Sequence, residues 1–283
     1  MPLLQMPNEC FVFDIETVPD AAAARRLLGR PELDDDAARQ ALRDYFLDKT
    51  DGRNDFPRQP FHQVVAISYA QLRREPGEQG EELVIRRIAS GGSEASDERA
   101  LVAGFFGMIT QRAPQLVSFN GRGFDLPVLK YRAMVHGISC PRWFREGDRY
   151  HGYEQRYSDR YHLDLLEAFS DHGASARCGL HEIASAFGVP GKLETSGADV
   201  LELFRAGAID RIRAYCETDV CATLLLWLRL LHFRGQLGDG ALARTEEGLA
   251  NYLRAEGEAR PHLLRFLQAW RPDEAAMQED GAD

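Results

Sequence analysis

Phe11-Val12-Phe13-Asp14-Ile15-Glu16-Thr17 carries two carboxylates inside a run that otherwise reads as a buried strand. A strand alternates faces with period 2. Phe11, Phe13 and Ile15 therefore share one face, and Val12, Asp14 and Glu16 share the other. Two acids held side by side repel, and their burial is costly unless something pairs with them. A divalent cation is one such partner. An edge strand with a solvated acidic face is the other reading, and Asp-Ile-Glu alone does not choose between them.

Outward from this strand, Thr17-Val18-Pro19-Asp20 breaks the extended run. Ala21 to Leu28 reads as a helix ended by Gly29-Arg30-Pro31, and Leu33 to Leu47 as a second, more polar one. Asp48 to Pro60 is rich in Asp, Gly, Asn and Pro and reads as a loop, long enough to serve as a lid or binding loop. Gln63 to Leu72 and Glu81 to Ala89 read as two strands of a hairpin. Asp97 to Arg112 is an amphipathic helix with a stripe of Ala100, Leu101, Phe105, Met108 and Ile109. Gln115 to Phe119 is a short buried strand that leads through two glycines into a helix from Pro127 to about His136, where proline suits a first turn. Tyr161 to Leu166 is a strand carrying Asp164. Helices follow at Leu180 to Phe187, Asp199 to Phe204 and Ile209 to His232, with one or two more between Ala241 and Trp270. The first three strands can run as a meander, whereas the later ones need helical crossovers and should be parallel. The expectation is α/β, a mixed sheet flanked by helices. One domain over 1–235, a helical extension over 236–270 packed on it, and an acidic flexible tail over 271–283 complete the expected layout.

The 283 residues carry a net charge of −10, which argues against a surface that grips duplex nucleic acid everywhere but leaves room for a local basic groove. Arginine supplies almost all the positive charge; the lysines are Lys49, Lys130 and Lys192. Five scattered cysteines without a Cys-x-x-Cys pair support neither a zinc cluster nor a disulfide framework. No secretory signal and no run of the roughly 18–20 apolar residues that span a bilayer is evident, so no membrane association and a cytoplasmic location are expected.

Two further acid-bearing patterns stand downstream. Asn120-x-x-x-Phe124-Asp125 sits where a strand turns into a helix, and carboxyl ends of strands in such sheets are where ligands bind. An isolated Asp there also reads as a helix cap. Tyr215-x-x-x-Asp219 lies in a long helix, with both side chains on one face a turn apart.

In this order, Asp14-x-Glu16, Asn120-x-x-x-Phe124-Asp125 and Tyr215-x-x-x-Asp219 resemble the three exonuclease motifs of the DEDD superfamily of 3′–5′ exonucleases. The tyrosine resembles the subgroup with a catalytic tyrosine in place of a histidine. Phe-Asp-Ile-Glu-Thr-Val-Pro is similar to stand-alone proteins related to the proofreading exonuclease domain of B-family DNA polymerases. The resemblance spans about Phe11 to Leu231 and implies a ribonuclease-H-like fold with a five-stranded mixed sheet and extra C-terminal helices.

It also implies two divalent ions, Mg²⁺ or Mn²⁺, bridged by Asp14, with Glu16 and Asp219 completing one and Asp125 holding the other through water. Tyr215 would orient the attacking water or help deprotonate it. The implied reaction removes nucleoside 5′-monophosphates from the 3′ end of single-stranded DNA. The alternatives are a short-RNA exoribonuclease, or a catalytically silent module that binds nucleic acid or a protein partner. A proofreading or repair role would need a polymerase or repair partner. Ile15, Thr17, Asn120, Phe124 and Lys192 match family positions near substrate. Arg142, Arg145, Arg149, Arg156 and Arg160 interleave with Trp143, Phe144, Tyr150, Tyr153 and Tyr157, a composition suited to single strands or to an ordinary surface loop. Asp164 reads as a site neighbour or a structural acid. His162, His172 and His181 show no ligand spacing.

Overall fold

Branched and aromatic residues favour extended backbone, and the opening run extends two residues beyond its apolar core at each end to form β1 (Glu9–Pro19). The computed structural model describes residues 7–77, 80–191 and 199–272. The 273–283 part of the acidic tail and Lys192 lie outside the described residues. After β1 come α1 (Ala21–Leu28) and α2 (Asp35–Lys49), then the hairpin β2 (His62–Gly77) and β3 (Gly80–Ser90). Next are α3 (Glu98–Arg112), β4 (Gln115–Ser118), α4 (Asp125–Val135), α5 (Pro141–Arg145), β5 (His162–Asp164) and α6 (Leu165–Phe169). The chain closes with α7 (Leu180–Ala186), α8 (Val200–Arg205), α9 (Ile209–Phe233), α10 (Asp239–Glu256) and α11 (Pro261–Trp270).

The sheet order is β3-β2-β1-β4-β5. β1, β2 and β3 pair antiparallel, and β4 and β5 run parallel to β1. The meander and the parallel crossovers expected from the sequence are both present, in a ribonuclease-H-like α/β fold. Period 2 along β1 divides the core. Phe11, Phe13 and Ile15 face α3 and α4, packing with Phe105, Ile109 and Leu129. Cys10 and Val12 face the opposite layer with Trp227 of α9, Leu249 of α10 and Phe266 of α11. The acidic positions of β1 thus lie on the α9 side. Among the described residues no helix is long and apolar enough to cross a membrane.

Three expectations shift. Helix α4 begins at Asp125, so Pro127 is its third residue and Asp125 is no cap; the residue before the helix is Phe124, with no side-chain cap. β5 ends at Asp164, because its carboxylate accepts the N–H of Leu166 (3.0 Å) and starts α6 inside what reads as a continuing apolar run. The stretch from Cys140 to Tyr161 contains α5, and much of it is core. Trp143 stacks on Tyr153 at 4.7 Å, and Tyr153 donates its hydroxyl to Pro114 O. Arg142 pairs with Glu146 and Arg156 with Glu167, which leaves Phe144, Tyr150 and Tyr157 as its exposed rings.

Where β1 leaves the sheet, a buried ion network fixes its direction. Arg132 of α4 donates to Asp20, the N-cap of α1 (2.6 Å), and to Glu98 at the start of α3 (2.6 Å). Glu98 also accepts the Val64 N–H (2.7 Å). Three helices and β2 are thereby tied around the end of the strand that carries the acids.

Candidate active site

The β1–β2 register shifts between Glu16 and Thr17. A bulge bends a strand and re-aims its side chains, and this one stands directly after the second acid. Asp14 is paired with Ser68 and Glu16 with Ala66 on β2, while α9 crosses over the same face. Helix α9 delivers Tyr215, Cys216 and Asp219 to it. The Cys216 thiol points at the backbone oxygen of Asp14 (3.4 Å) and at its carboxylate (3.6 Å). Ligand atoms of Asp14, Glu16 and Cys216 lie within 4.8 Å of one another.

Asp125 arrives from the β4–α4 turn. Asn120 adopts φ 63°, and Gly121 has no room for a side chain, since a Cβ there would stand 2.1 Å from Ser118 Oγ. The same Cβ would lie 3.7 Å from Asp125 Oδ2. Asp164 organises this turn, accepting the N–H of Asn120 (3.0 Å) and of Arg122 (2.8 Å). Asp125 in turn accepts its own N–H and that of Ile15. The backbone donor of Ile15 is therefore committed to Asp125, and its side chain is buried in the core.

The electrostatics show that these acids share one space. Burial first, then the charges of Asp125, Glu16 and Asp219, hold the Asp14 carboxyl well above the usual range. Glu16 is raised likewise, by burial and then by Asp219 and Asp125. Burial and the Asp164 charge push Asp125 up to about 7 against the two N–H donors. The charges acting most strongly on Asp14 and Glu16 are all negative. Tyr215 donates its hydroxyl to Asp219, and burial with the neighbouring carboxylates raises its pKa beyond the ordinary phenol range. A cage of buried oxygen donors under mutual repulsion, with no cation of its own among these strongest influences, fits hard divalent metals.

A family model for predicted 3′–5′ exonucleases related to the exonuclease domain of PolB matches residues 54–270. The chain belongs to this family. The matched span of this exonuclease-family chain contains Asp125, Tyr215 and Asp219, whereas Asp14 and Glu16 precede it and join them through the sheet. Membership supports a nuclease and implies a nucleic-acid substrate. A search of the curated proteins finds no match.

Thr17 donates its hydroxyl to His62 Nδ1 (2.9 Å), because the other ring nitrogen is occupied with Pro57 O (2.8 Å). Phe124 is partly buried, edge-on to His62 at 5.0 Å. His162 is buried between Ser118 (2.8 Å) and Arg122 (3.1 Å), a structural role. His172 lies beside Glu167 at 3.4 Å.

Cys216 escaped the sequence reading, which weighed cysteines only by spacing. It opens a buried polar chain. Cys216 hydrogen-bonds Ser68, Ser68 meets Ser90 (2.8 Å), and Ser90 donates to Glu217 (2.8 Å). Glu217 accepts from Arg260 (2.5 Å) and His262 (2.7 Å) at the start of α11. The terminal helices are thus wired to the carboxylate site. These donors overcome burial and lower the Glu217 carboxyl to about 2. Its contribution to stability is present above pH 4.5 and is lost as pH falls towards 2. Glu217→Gln is expected to lower stability by about 1–3 kcal/mol at neutral pH and to flatten the loss between pH 4.5 and 2. Urea unfolding across that range measures both, and an unchanged acid limb would refute the assignment.

Proposed function

We propose that the protein is a 3′–5′ exonuclease that removes nucleoside 5′-monophosphates from the 3′ end of single-stranded DNA, with Asp14, Glu16, Asp125 and Asp219 holding two divalent cations, Mg²⁺ or Mn²⁺. The observation that carries this reading is the convergence of those acids on one face of β1 beneath α9, with burial and like charge raising Asp14, Glu16 and Asp125 together. Bound cations would supply charge stabilisation to the attacking and leaving oxygens of an in-line displacement. The protein's own groups do the rest. Asp14 and Glu16 are fixed by the strand, and Asp125 by its two N–H bonds and the turn that Asp164 secures. Tyr215 keeps its proton and donates it to Asp219, so its phenol oxygen positions the attacking water as a hydrogen-bond acceptor rather than as a base that takes the proton.

Labelled DNA and RNA oligonucleotides, single- and double-stranded, test the proposal when incubated with Mg²⁺ or Mn²⁺ beside an Asp14→Asn/Asp219→Asn variant. Stepwise shortening of single-stranded DNA from the 3′ end is expected, dependent on the metal and absent in the variant. Binding without metal-dependent shortening would overturn it, and shortening of RNA alone would reassign the substrate.

A further inference from the structure

The Asp48 to Pro60 loop is not a free surface segment. The Thr50 hydroxyl donates to Asn54 O (2.7 Å) and accepts the Asn54 N–H (2.9 Å), and Asn54 Oδ1 accepts the Phe56 N–H (2.9 Å). On the other side of Phe56, His62 Nε2 donates to Pro57 O (2.8 Å) and Gln59 donates to Gly123 O (3.1 Å). Phe56 is therefore anchored on both flanks, to β2 and to the turn that carries Asp125.

Phe56 is nonetheless 56% exposed. Its ring lies 4.9 Å from the His62 ring and 5.8 Å from the Phe124 ring, tilted 41° and 45°. Both neighbours are tied to segments that carry the acids. Phe124 precedes Asp125, and His62 holds Thr17, which follows Glu16. Three rings thus form a wall beside the carboxylate site, and the one farthest out shows much of its surface to solvent. An aromatic ring that is pinned and exposed beside a phosphodiester-cleaving centre is a stacking surface for a base, since every nucleobase offers a π-face.

We infer that Phe56 is a stacking platform for the base of the 3′-terminal nucleotide, which makes the 50–61 loop a substrate-binding element of this chain. The inference rests on the exonuclease reading, and its test separates the two. Single-stranded DNA ending in a normal nucleotide is compared with the same strand ending in an abasic 3′ residue. Dissociation constants are measured with chelator present, and KM and kcat with Mg²⁺. Wild-type protein is expected to bind the normal end more tightly. Phe56→Ala weakens binding and raises KM for the normal end by about 5- to 150-fold, leaves the abasic end unchanged, and erases the preference. Phe56→Trp restores it, with indole fluorescence quenched by the normal end only. Equal effects of Phe56→Ala on both ends, or none on either, would overturn the inference. Base-dependent binding without hydrolysis would support the stacking platform while refuting the nuclease reading. A thermal midpoint within about 2 °C of wild type confirms that the variant is folded.

Discussion

Asp14→Asn is expected to abolish hydrolysis, by about 10³-fold or more, while making the metal-free protein more stable. The two effects have one origin. Asp14 stands where three other acids press on it, and burial already holds its carboxyl well above the usual range. In the unfolded chain at neutral pH the same group is ionised and solvated. Folding must therefore either neutralise it or confine its charge beside like charges, and both cost free energy. Asparagine keeps the shape and removes that cost. The gain should be about 1–3 kcal/mol, visible as a rise of about 2–9 °C in the midpoint of chelated protein. An uncharged amide is a poor ligand for hard cations, so activity falls although the fold tightens. Nuclease assays and thermal melts of the same preparation decide it. Retained activity would sink the site assignment, and a destabilised chelated variant would sink the repulsion argument.

Much of this arrangement can be read in the chain before any coordinates. Alternation from Phe11 to Ile15 sorts β1 into two faces, and that sorting matches the two halves of the core. Proline and glycine breaks separate the strands well enough for the meander and the parallel crossovers to follow. The departures occur where local pattern and tertiary contact diverge. Leu163-Asp164-Leu165-Leu166 reads as strand throughout, yet the carboxylate of Asp164 captures N–H groups on both sides of it and ends the strand. Nothing in the composition of the Cys140 to Tyr161 stretch tells Trp143 and Tyr153, which pack inward, from Tyr150 and Tyr157, which do not. Cys216 and Phe56 are beyond local pattern altogether. The first meets Asp14 through the crossing of α9 over β1, and the second meets Phe124 through a loop anchored 64 residues away at Gly123. Contacts of that range are set by docking, which carries no short-range signature.

The strongest consequence of the acidic cage is a stability that falls with pH in metal-free protein and that metal restores most at high pH. In chelated protein burial and the Asp164 charge push the Asp125 carboxyl up to about 7, and Asp14 and Glu16 are raised as well. Between pH 3.8 and 7 the folded state binds more protons than the unfolded one, so stability falls as pH rises. The contribution of Asp125 is fully present below pH 3.8 and lost as pH rises through 7. The Glu217 ion cluster works the other way, but only below pH 4.5. Chelated protein should therefore be most stable near pH 4.5–5 and lose stability steadily towards pH 8, with its far-ultraviolet circular dichroism intact. Divalent cations bind the ionised acids and compete with protons. Mg²⁺ or Mn²⁺ at a hundredfold over its Kd stabilises by about 2.7 kcal/mol per site, so each occupied site should raise the midpoint by roughly 5–10 °C at pH 8 and by much less at pH 5. An increment of equal size at both pH values would place the metal elsewhere. In Asp14→Asn/Asp219→Asn protein the increment should vanish, because the competition between protons and cations takes place on those oxygens.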